Sequence, residues 1–157
     1  MELLSIIVPC YNEQETLGDY YKEINTVRDR LLAMECGLEV IFIDDGSRDG
    51  TLEGMKSFAG QNPWIKYLSF TRNFGKEAAI YAGLTHAKGD FVGLMDVDLQ
   101  DPPSLIPGMV ETLREKEYDC VATRRVDRKG EPVIRSFFAR AFYKVMRHIS
   151  DVEIVDG

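Results

Sequence analysis

The sequence predicts an α/β fold built on a mostly parallel sheet that is flanked by helices. Short apolar runs rich in β-branched residues alternate with segments of helical periodicity along the whole chain. This alternation is typical of parallel strands joined by helical crossovers. Polar and charged residues follow the apolar runs where the strands are expected to end, and no internal repeat or low-complexity segment competes with this interpretation.

The elements follow in order from local signals. A first strand is expected at residues 3–8, where Pro9 stops a β-rich run, and Asn12 with Glu15 has the spacing of a capping box that opens a helix to about residue 34. The later elements are strands at 38–43, 65–70, 91–95 and 118–123, and helices from Ser47 or Asp49 to about 58, at 76–87, after Pro102-Pro103, and at about 133–149. In parallel sheets ligands bind beyond the carboxyl ends of the strands, so the polar residues there are expected to form one site.

Composition and charge limit the classes of function. The 157 residues fit one domain, which we divide into a core at 1–124 and a basic segment with an amphipathic helix at 125–157. The net charge of −7 combines −10 over residues 1–123 with +6 over residues 124–148 and −3 over the last nine. A basic block on an acidic protein favours a local anionic partner and argues against general nucleic-acid binding.

Cysteine usage and hydropathy indicate a cytoplasmic compartment. The cysteines are Cys10, Cys36 and Cys120, an odd number without a CxxC pair, so neither a disulfide framework nor a zinc site is indicated. The start of the chain lacks the basic region of a secretory signal, and no apolar run approaches the ~20 residues that span a bilayer.

Two carboxylates, Asp96 and Asp98, follow the fourth predicted strand. Side chains alternate along extended chain, so both point to the same side, where Gln100 could add a neutral oxygen. Such oxygens suit Mg²⁺ or Mn²⁺, which take one or two protein carboxylates together with substrate phosphates. A solvated loop is the alternative for a DxD tripeptide, but the strand before it and the Gln-Asp-Pro-Pro after it favour a metal site.

A second pair of carboxylates, Asp44 and Asp45, ends the second predicted strand. These groups could accept the N–H of a nucleobase or ribose hydroxyls, while the following helix start offers free backbone N–H groups. A turn with a helix cap explains Ser47 and Asp49 but does not explain two adjacent carboxylates.

Further candidates follow the first and third strands. Tyr11 could supply a flat stacking surface for a base, and Glu13 an acceptor for its polar edge. Arg72 and Lys76 flank Gly75 at a helix start and could face phosphate oxygens. Exposed loop cations are an equally good interpretation of the last two.

Together these motifs resemble the family 2 glycosyltransferases, and most closely the branch of dolichyl-phosphate mannose synthases and bactoprenol glucosyltransferases. The segments that carry the resemblance are VPCYNE, IFIDDGSRDGT, RNFGKEAAIYAGLTHAKGD and MDVDLQDPP. The resemblance implies a GT-A fold, a nucleoside-diphosphate sugar donor, a divalent metal and an inverting transfer. By motif, the nucleotide ligands would be Pro9, Tyr11, Glu13, Asp44 and Asp45, supplemented by Lys76 and Asp96. The metal and diphosphate would be held by Asp96, Asp98 and Gln100, of which Asp96 and Asp98 would be catalytic.

The acceptor implied by this branch is polyprenyl phosphate. A phosphate monoester has a second pKa near 6, is largely ionised at neutral pH and needs no protein base, so none is assigned. The basic residues assigned to the acceptor phosphate are Arg124, Arg125, Arg128 and Arg135. We expect UDP-glucose as the donor, by likeness to the bactoprenol branch.

The basic segment also bears on the membrane. Its predicted helix at 133–149 carries an apolar stripe with cations on the other faces, a pattern of an interfacial helix and equally of a helix packed on its own sheet. We expect a chain truncated at its C-terminal end, from a full-length protein anchored at the cytoplasmic side of a membrane; self-association into a homo-oligomer stays open.

Two other functions stay open. A family 2 transferase with a sugar-hydroxyl acceptor would need a carboxylate base, for which Asp101 is the nearby spare. A nucleotide-sugar-binding fragment without turnover is the second alternative.

Overall fold

The structure is a computed structural model that describes residues 1–116 and 118–123. Contacts divide the chain into two units, Met1–Glu117 and Tyr118–Gly157. The sheet and helices below belong to the first unit. Within the described residues, no helix has the length and apolar character needed to cross a bilayer.

The first unit is a four-stranded parallel sheet with helices on both faces, as predicted. Its strands are β1 (Glu2–Cys10), β2 (Cys36–Asp44), β3 (Ile65–Ser69) and β4 (Phe91–Leu94), in the order β3-β2-β1-β4. Its helices are α1 (Leu17–Ala33), α2 (Thr51–Gln61), α3 (Lys76–His86) and α4 (Ile106–Lys116), the last preceded by a 3₁₀ turn at Pro103–Leu105. The central strands β1 and β2 are covered on both faces, which explains their nearly continuous apolar sequences.

The core has a layer on each face of the sheet. On one face Tyr20 of α1 packs edge-on against Phe42 of β2, with ring centroids 5.9 Å apart. On the other face α3 lies close to β1. The approach is so close that a Cβ atom on Gly83 would stand 2.4 Å from a side-chain carbon of Ile7. This close packing holds the first residues of α3 near the carboxyl ends of the strands.

The predicted capping box is wrong. The first helix begins at Leu17, and Asn12 has a left-handed backbone with φ of 56°. Its side-chain oxygen accepts the Arg48 N–H at 2.9 Å, so it bonds to the loop after β2 and not to its own helix. A tertiary partner has displaced the local one, and residues 13–16 form a turn between strand and helix.

The predicted fifth strand at residues 118–123 is also wrong. These residues form neither helix nor strand, and most of them are exposed. A strand needs a neighbour for its backbone hydrogen bonds, and β-propensity alone does not supply one. The helix predicted at 133–149 lies outside the described residues. The predicted boundary between the core and the basic segment, at residue 124, also lies there and stays a prediction.

A buried carboxylate ties the amino-terminal half of the sheet together. Glu39 on β2 is 4% exposed, accepts the Ser5 hydroxyl at 2.7 Å and the Lys88 N–H at 3.2 Å, and pairs with the Lys66 ammonium. Burial by itself would raise the pKa of Glu39, but the hydrogen bonds from Lys66, Ser5 and Lys88 outweigh it and lower that pKa below its ordinary value.

We expect Glu39→Gln to lower the free energy of unfolding by about 1–3 kcal/mol, because it removes the buried charged acceptor of the hydrogen bonds from Ser5, Lys88 and Lys66. The stabilisation is fully present above the ordinary carboxyl pKa and is lost as pH falls through the lowered one. Urea unfolding at pH 7 and in acid checks both statements, and the difference from wild type should shrink in acid. Glu53→Gln, in an exposed pair with Lys56, is the control and should cost less than ~0.5 kcal/mol. Equal losses in the free energy of unfolding for the two substitutions would show that Glu39 stabilises the fold no more than an exposed ion pair does.

Candidate active site

Most of the predicted ligand residues line one hollow of about 280 Å³ beyond the carboxyl ends of β1, β2 and β4. The lining residues are Pro9, Cys10, Tyr11, Glu13, Asp45, Lys76, Ala79, Asp96, Val97 and Asp98. Four strand-end motifs that are far apart in sequence therefore meet at one place. Of the two predicted carboxylate pairs, Asp45, Asp96 and Asp98 line the hollow, whereas Asp44 does not.

Tyr11 and Glu13 reach the hollow from the segment that follows β1. Tyr11 is 43% exposed, so part of its side chain is open to a ligand. Glu13 lies in the turn before α1, where its carboxylate accepts the Thr16 hydroxyl at 2.8 Å and its N–H donates to the Thr51 hydroxyl at 2.8 Å. The bond to Thr51 holds the Glu13 backbone and the bond from Thr16 holds its carboxylate, at a residue that lines the hollow.

A polar seam between the loops after β1 and β2 was not predicted. The Asn12 N–H donates to the Ser47 hydroxyl at 3.0 Å, and the Gln14 N–H donates to Asp49 at 3.2 Å. In the other direction the Gly50 N–H donates to the Gln14 side chain at 2.7 Å. The seam joins the segment that carries Tyr11 and Glu13 to the loop after β2. The only sequence signal for it is that both segments are rich in side chains that can accept backbone N–H groups.

Asp49 is the charged member of this seam. Burial would raise the pKa of Asp49, but hydrogen bonds from the Thr51 hydroxyl, the Thr51 N–H and the Gln14 N–H lower it. Asp49 therefore stays ionised and holds the two loops together.

The paired carboxylates after β2 are both buried, and they differ in position. Asp44 is 1% exposed, accepts the Ser47 N–H at 2.9 Å and the Ser69 hydroxyl at 2.8 Å, and is not part of the lining of the hollow. Asp45 is 4% exposed and lines it. Its two oxygens accept the N–H groups of Phe74 and Gly75 at 2.7 and 2.9 Å. Asp45 thus fixes the segment that begins α3.

Gly46 allows the loop after β2 to approach the segment before α3. Its φ is 70°, and a Cβ atom there would stand 2.4 Å from the carbonyl carbon of Arg72. Only glycine fits this combination of left-handed backbone and backbone contact. The glycine in the DDGS motif is therefore required by the same contact that lets Asp45 reach Phe74 and Gly75.

Lys76, the first residue of α3, is paired with Asp96. Its ammonium nitrogen lies 2.6 and 2.8 Å from the two carboxylate oxygens, and both side chains are about half exposed. The other predicted cation of this segment, Arg72, stacks on the Phe74 ring at 4.3 Å. Lys76 is thus the cation of the motif that the structure brings into the hollow.

Asp96 and Asp98 both line the hollow, and Val97 between them in sequence is buried. Asp98 accepts the backbone N–H of Gln100 at 3.0 Å across a turn in which Leu99 has φ of 58°. The donor set of two carboxylates fits Mg²⁺ or Mn²⁺, provided that other oxygens complete the shell. No group of three or more acidic, histidine or cysteine ligands occurs within the described residues, so substrate phosphates would have to supply the rest.

Cys10 lines the hollow but does not act as a nucleophile. Burial, together with the charges of Glu13, Asp44 and Asp96, raises the pKa of its thiol far above the ordinary value. The reactive form of cysteine is the thiolate, which is therefore suppressed here.

The arginines assigned to the acceptor phosphate lie outside the described residues. They are Arg124, Arg125, Arg128 and Arg135. Their role stays a prediction.

Comparison with known proteins identifies the family of this chain. The family described as "Glycosyl transferase family 2" matches residues 5–151. The chain is 40% identical over 154 residues to the prophage bactoprenol glucosyl transferase homolog of Escherichia coli K12, and 41% identical to the bactoprenol glucosyl transferase of Shigella phage SfV. These alignments cover 98% of this chain and 49% of each relative, so the chain spans about half of their length.

Solved structures support the same fold. A mannosyltransferase from Pyrobaculum calidifontis, in complex with GDP-Man and Mn²⁺, aligns with a TM-score of 0.60 at 26% identity, over 92% of this chain and 38% of that one. Staphylococcus aureus TarS (1–349) with UDP aligns at 0.62 and 22% identity, over 84% of this chain and 38% of that one, which bears on the fold alone. The sheet, the four motifs at its carboxyl edge and the match over nearly the whole chain together show that this protein belongs to glycosyl transferase family 2.

Proposed function

We propose that this chain carries the donor site of a metal-dependent, inverting glycosyltransferase that moves glucose from UDP-glucose to polyprenyl phosphate at a membrane surface. The observation that carries the proposal is the shared hollow, in which Asp45, Asp96 and Asp98 meet beside Tyr11 and Glu13. The names of relatives that span twice the length support the bactoprenol acceptor.

The nucleotide would bind between the segments after β1 and β2. Tyr11 offers an exposed aromatic face for the base, while Glu13 and Asp45 offer carboxylate oxygens for N–H and hydroxyl groups. Pro9 forms part of the wall of the hollow. Asp44 would act indirectly, since its carboxylate holds Ser47 and Ser69 and thereby orders the loop that presents Asp45.

The charge of the hollow explains why a divalent cation would be required. Its lining carries four carboxylates (Glu13, Asp45, Asp96 and Asp98) and one ammonium, that of Lys76. This formal excess of negative charge repels a diphosphate. A metal held by Asp96 and Asp98, with Gln100 as a proposed further ligand, would offset that repulsion and neutralise the charge that develops on the leaving diphosphate.

No residue of this hollow is assigned as a base. The acceptor phosphate oxygen is already ionised at neutral pH and can attack the anomeric carbon directly as the diphosphate leaves. The chain's task is then to hold donor and acceptor in line and to balance charge. The arginines at 124, 125, 128 and 135 are proposed to hold the acceptor phosphate. A sugar-hydroxyl acceptor would instead require a base, for which Asp101 is the candidate.

Donor binding tests the proposal. A thermal-shift panel would compare UDP, UDP-glucose, GDP and GDP-mannose on the 157-residue chain, each with and without Mn²⁺. A uridine ligand at about 100 times its dissociation constant should raise the Tm by about 5–10 °C, and only with Mn²⁺. A response to guanosine ligands instead would move the donor assignment to GDP sugars. If no nucleotide stabilised the fold in a metal-dependent way, the proposal would be wrong.

A further inference from the structure

The ammonium of Lys76 is paired with the carboxylate of Asp96, which the proposed function assigns to the metal. Its ammonium lies within 2.8 Å of both oxygens of Asp96, so it uses the oxygens that a divalent cation would need. Among the described residues that line the hollow, Lys76 is the only cation. An ammonium and a metal ion cannot share one carboxylate at this distance without strong repulsion.

The backbone of Lys76 is fixed, whereas its side chain is free to turn. Asp45 binds the two preceding N–H groups, and Gly83 packs α3 tightly against Ile7. The Lys76 side chain is 55% exposed and has a flexible four-carbon stem. Its ammonium can therefore leave Asp96 for another acceptor in the same hollow without any movement of the helix.

A donor diphosphate would provide that acceptor. A phosphate oxygen offers the ammonium a charge-assisted hydrogen bond, and the freed Asp96 can then bind the metal. Without the donor, a metal that binds Asp96 must break the Lys76–Asp96 pair, and the ammonium then has no phosphate oxygen to bind. The pair thus opposes the metal alone but not the metal together with a nucleotide.

We propose that Lys76 is an exchangeable counter-ion, which holds Asp96 in the donor-free protein and transfers to the diphosphate when nucleotide and metal bind. This inference rests on the proposed donor site. Through this one side chain the two ligands would strengthen each other's binding, and the coupling must be reciprocal. Donor and metal would then enter as a unit, and metal alone would bind weakly.

Lys76→Met tests the exchange because it removes the ammonium and keeps most of the stem. Without nucleotide, the variant should bind Mn²⁺ about three- to tenfold more tightly than wild type, since the competing pair is gone. With Mn²⁺ present, it should bind UDP about tenfold more weakly, since a charge-assisted bond to phosphate is lost. Electron paramagnetic resonance of free Mn²⁺ and calorimetry of UDP measure these two affinities without any need for turnover.

Two further variants define the interpretation. Lys56→Met removes an exposed lysine that is paired with Glu53 on α2, and it should change neither affinity by more than about twofold. Lys76→Arg should keep the coupling between UDP and Mn²⁺, at reduced strength. The coupling factor is the ratio of Mn²⁺ affinities with and without UDP, and in Lys76→Met it should fall about tenfold or more.

The outcomes separate this inference from the proposed function. If wild type binds Mn²⁺ and UDP but Lys76→Met binds Mn²⁺ equally or more weakly without nucleotide, the exchange is overturned and the donor site stands. If Lys76→Met gains Mn²⁺ affinity and its UDP affinity is unchanged, the transfer to phosphate is overturned. If wild type binds neither ligand, both the donor site and the exchange fail.

Discussion

Asp98→Asn is expected to lower kcat/KM for sugar transfer about a thousandfold and to leave the fold intact. The amide is nearly isosteric and can still accept the Gln100 N–H that Asp98 accepts at 3.0 Å, so the turn should persist. The loss of one of the two carboxylates that are proposed to bind the metal would remove charge stabilisation worth several kcal/mol, and each ~1.4 kcal/mol is a factor of ten in rate. Initial rates with UDP-glucose and polyprenyl phosphate, together with Mn²⁺ affinity, provide the measurement.

The matched control for this substitution is Asp101→Asn. Asp101 is exposed and lies three residues further along the same loop, and it is the candidate for the base that a sugar-hydroxyl acceptor would need. The Asp101→Asn variant should retain activity within a few-fold of wild type. The reverse result, with activity lost in Asp101→Asn and kept in Asp98→Asn, would contradict the metal assignment and favour the hydroxyl-acceptor alternative.

Gly46→Ala should have the largest effect on stability, with a loss of about 3 kcal/mol in the free energy of unfolding. Two costs add: the left-handed backbone at φ of 70°, and a Cβ atom 2.4 Å from backbone of Arg72. The clash can be relieved only if the segment before α3 moves, which would pull Phe74 and Gly75 from Asp45. We therefore also expect UDP affinity to fall. Urea unfolding and UDP calorimetry would measure the two effects.

Gly60→Ala on α2 serves as its control. Nothing lies within 4 Å of the added atom, and alanine is the better helix former by about 1 kcal/mol, so stability should be equal or higher. A Gly46→Ala protein as stable as Gly60→Ala would show that the loop after β2 adapts without cost. The special role of Gly46 would then be lost.

The strands and helices of the first unit were predictable because their signals are local. An apolar run that is buried on both faces can be recognised without knowledge of its neighbours, as β1 and β2 were. Their polar ends could then be assigned to one edge, because parallel strands point the same way. The segment at 118–123 was wrongly predicted by the same reasoning, since a strand exists only where another strand accepts its hydrogen bonds.

Helix starts and partner choices were less predictable. Asn12 has the spacing of a cap, but it bonds to Arg48, which is 36 residues away. Local and tertiary acceptors compete for the same groups, and sequence spacing reveals only the local ones. The same limit applies to Asp45, which was predicted as a nucleotide ligand and whose two oxygens accept the N–H groups of Phe74 and Gly75 in the structure.

The sequence by itself determined which residue types stand at the ends of the strands, and from them the family, because carboxylates, glycines and an aromatic residue at strand ends carry recognisable chemistry. Only the tertiary structure decided which of these groups touch. In the structure Lys76 pairs with Asp96, and Asp45 lines the hollow whereas Asp44 does not. Such contacts depend on how α3 and the loops pack across the sheet.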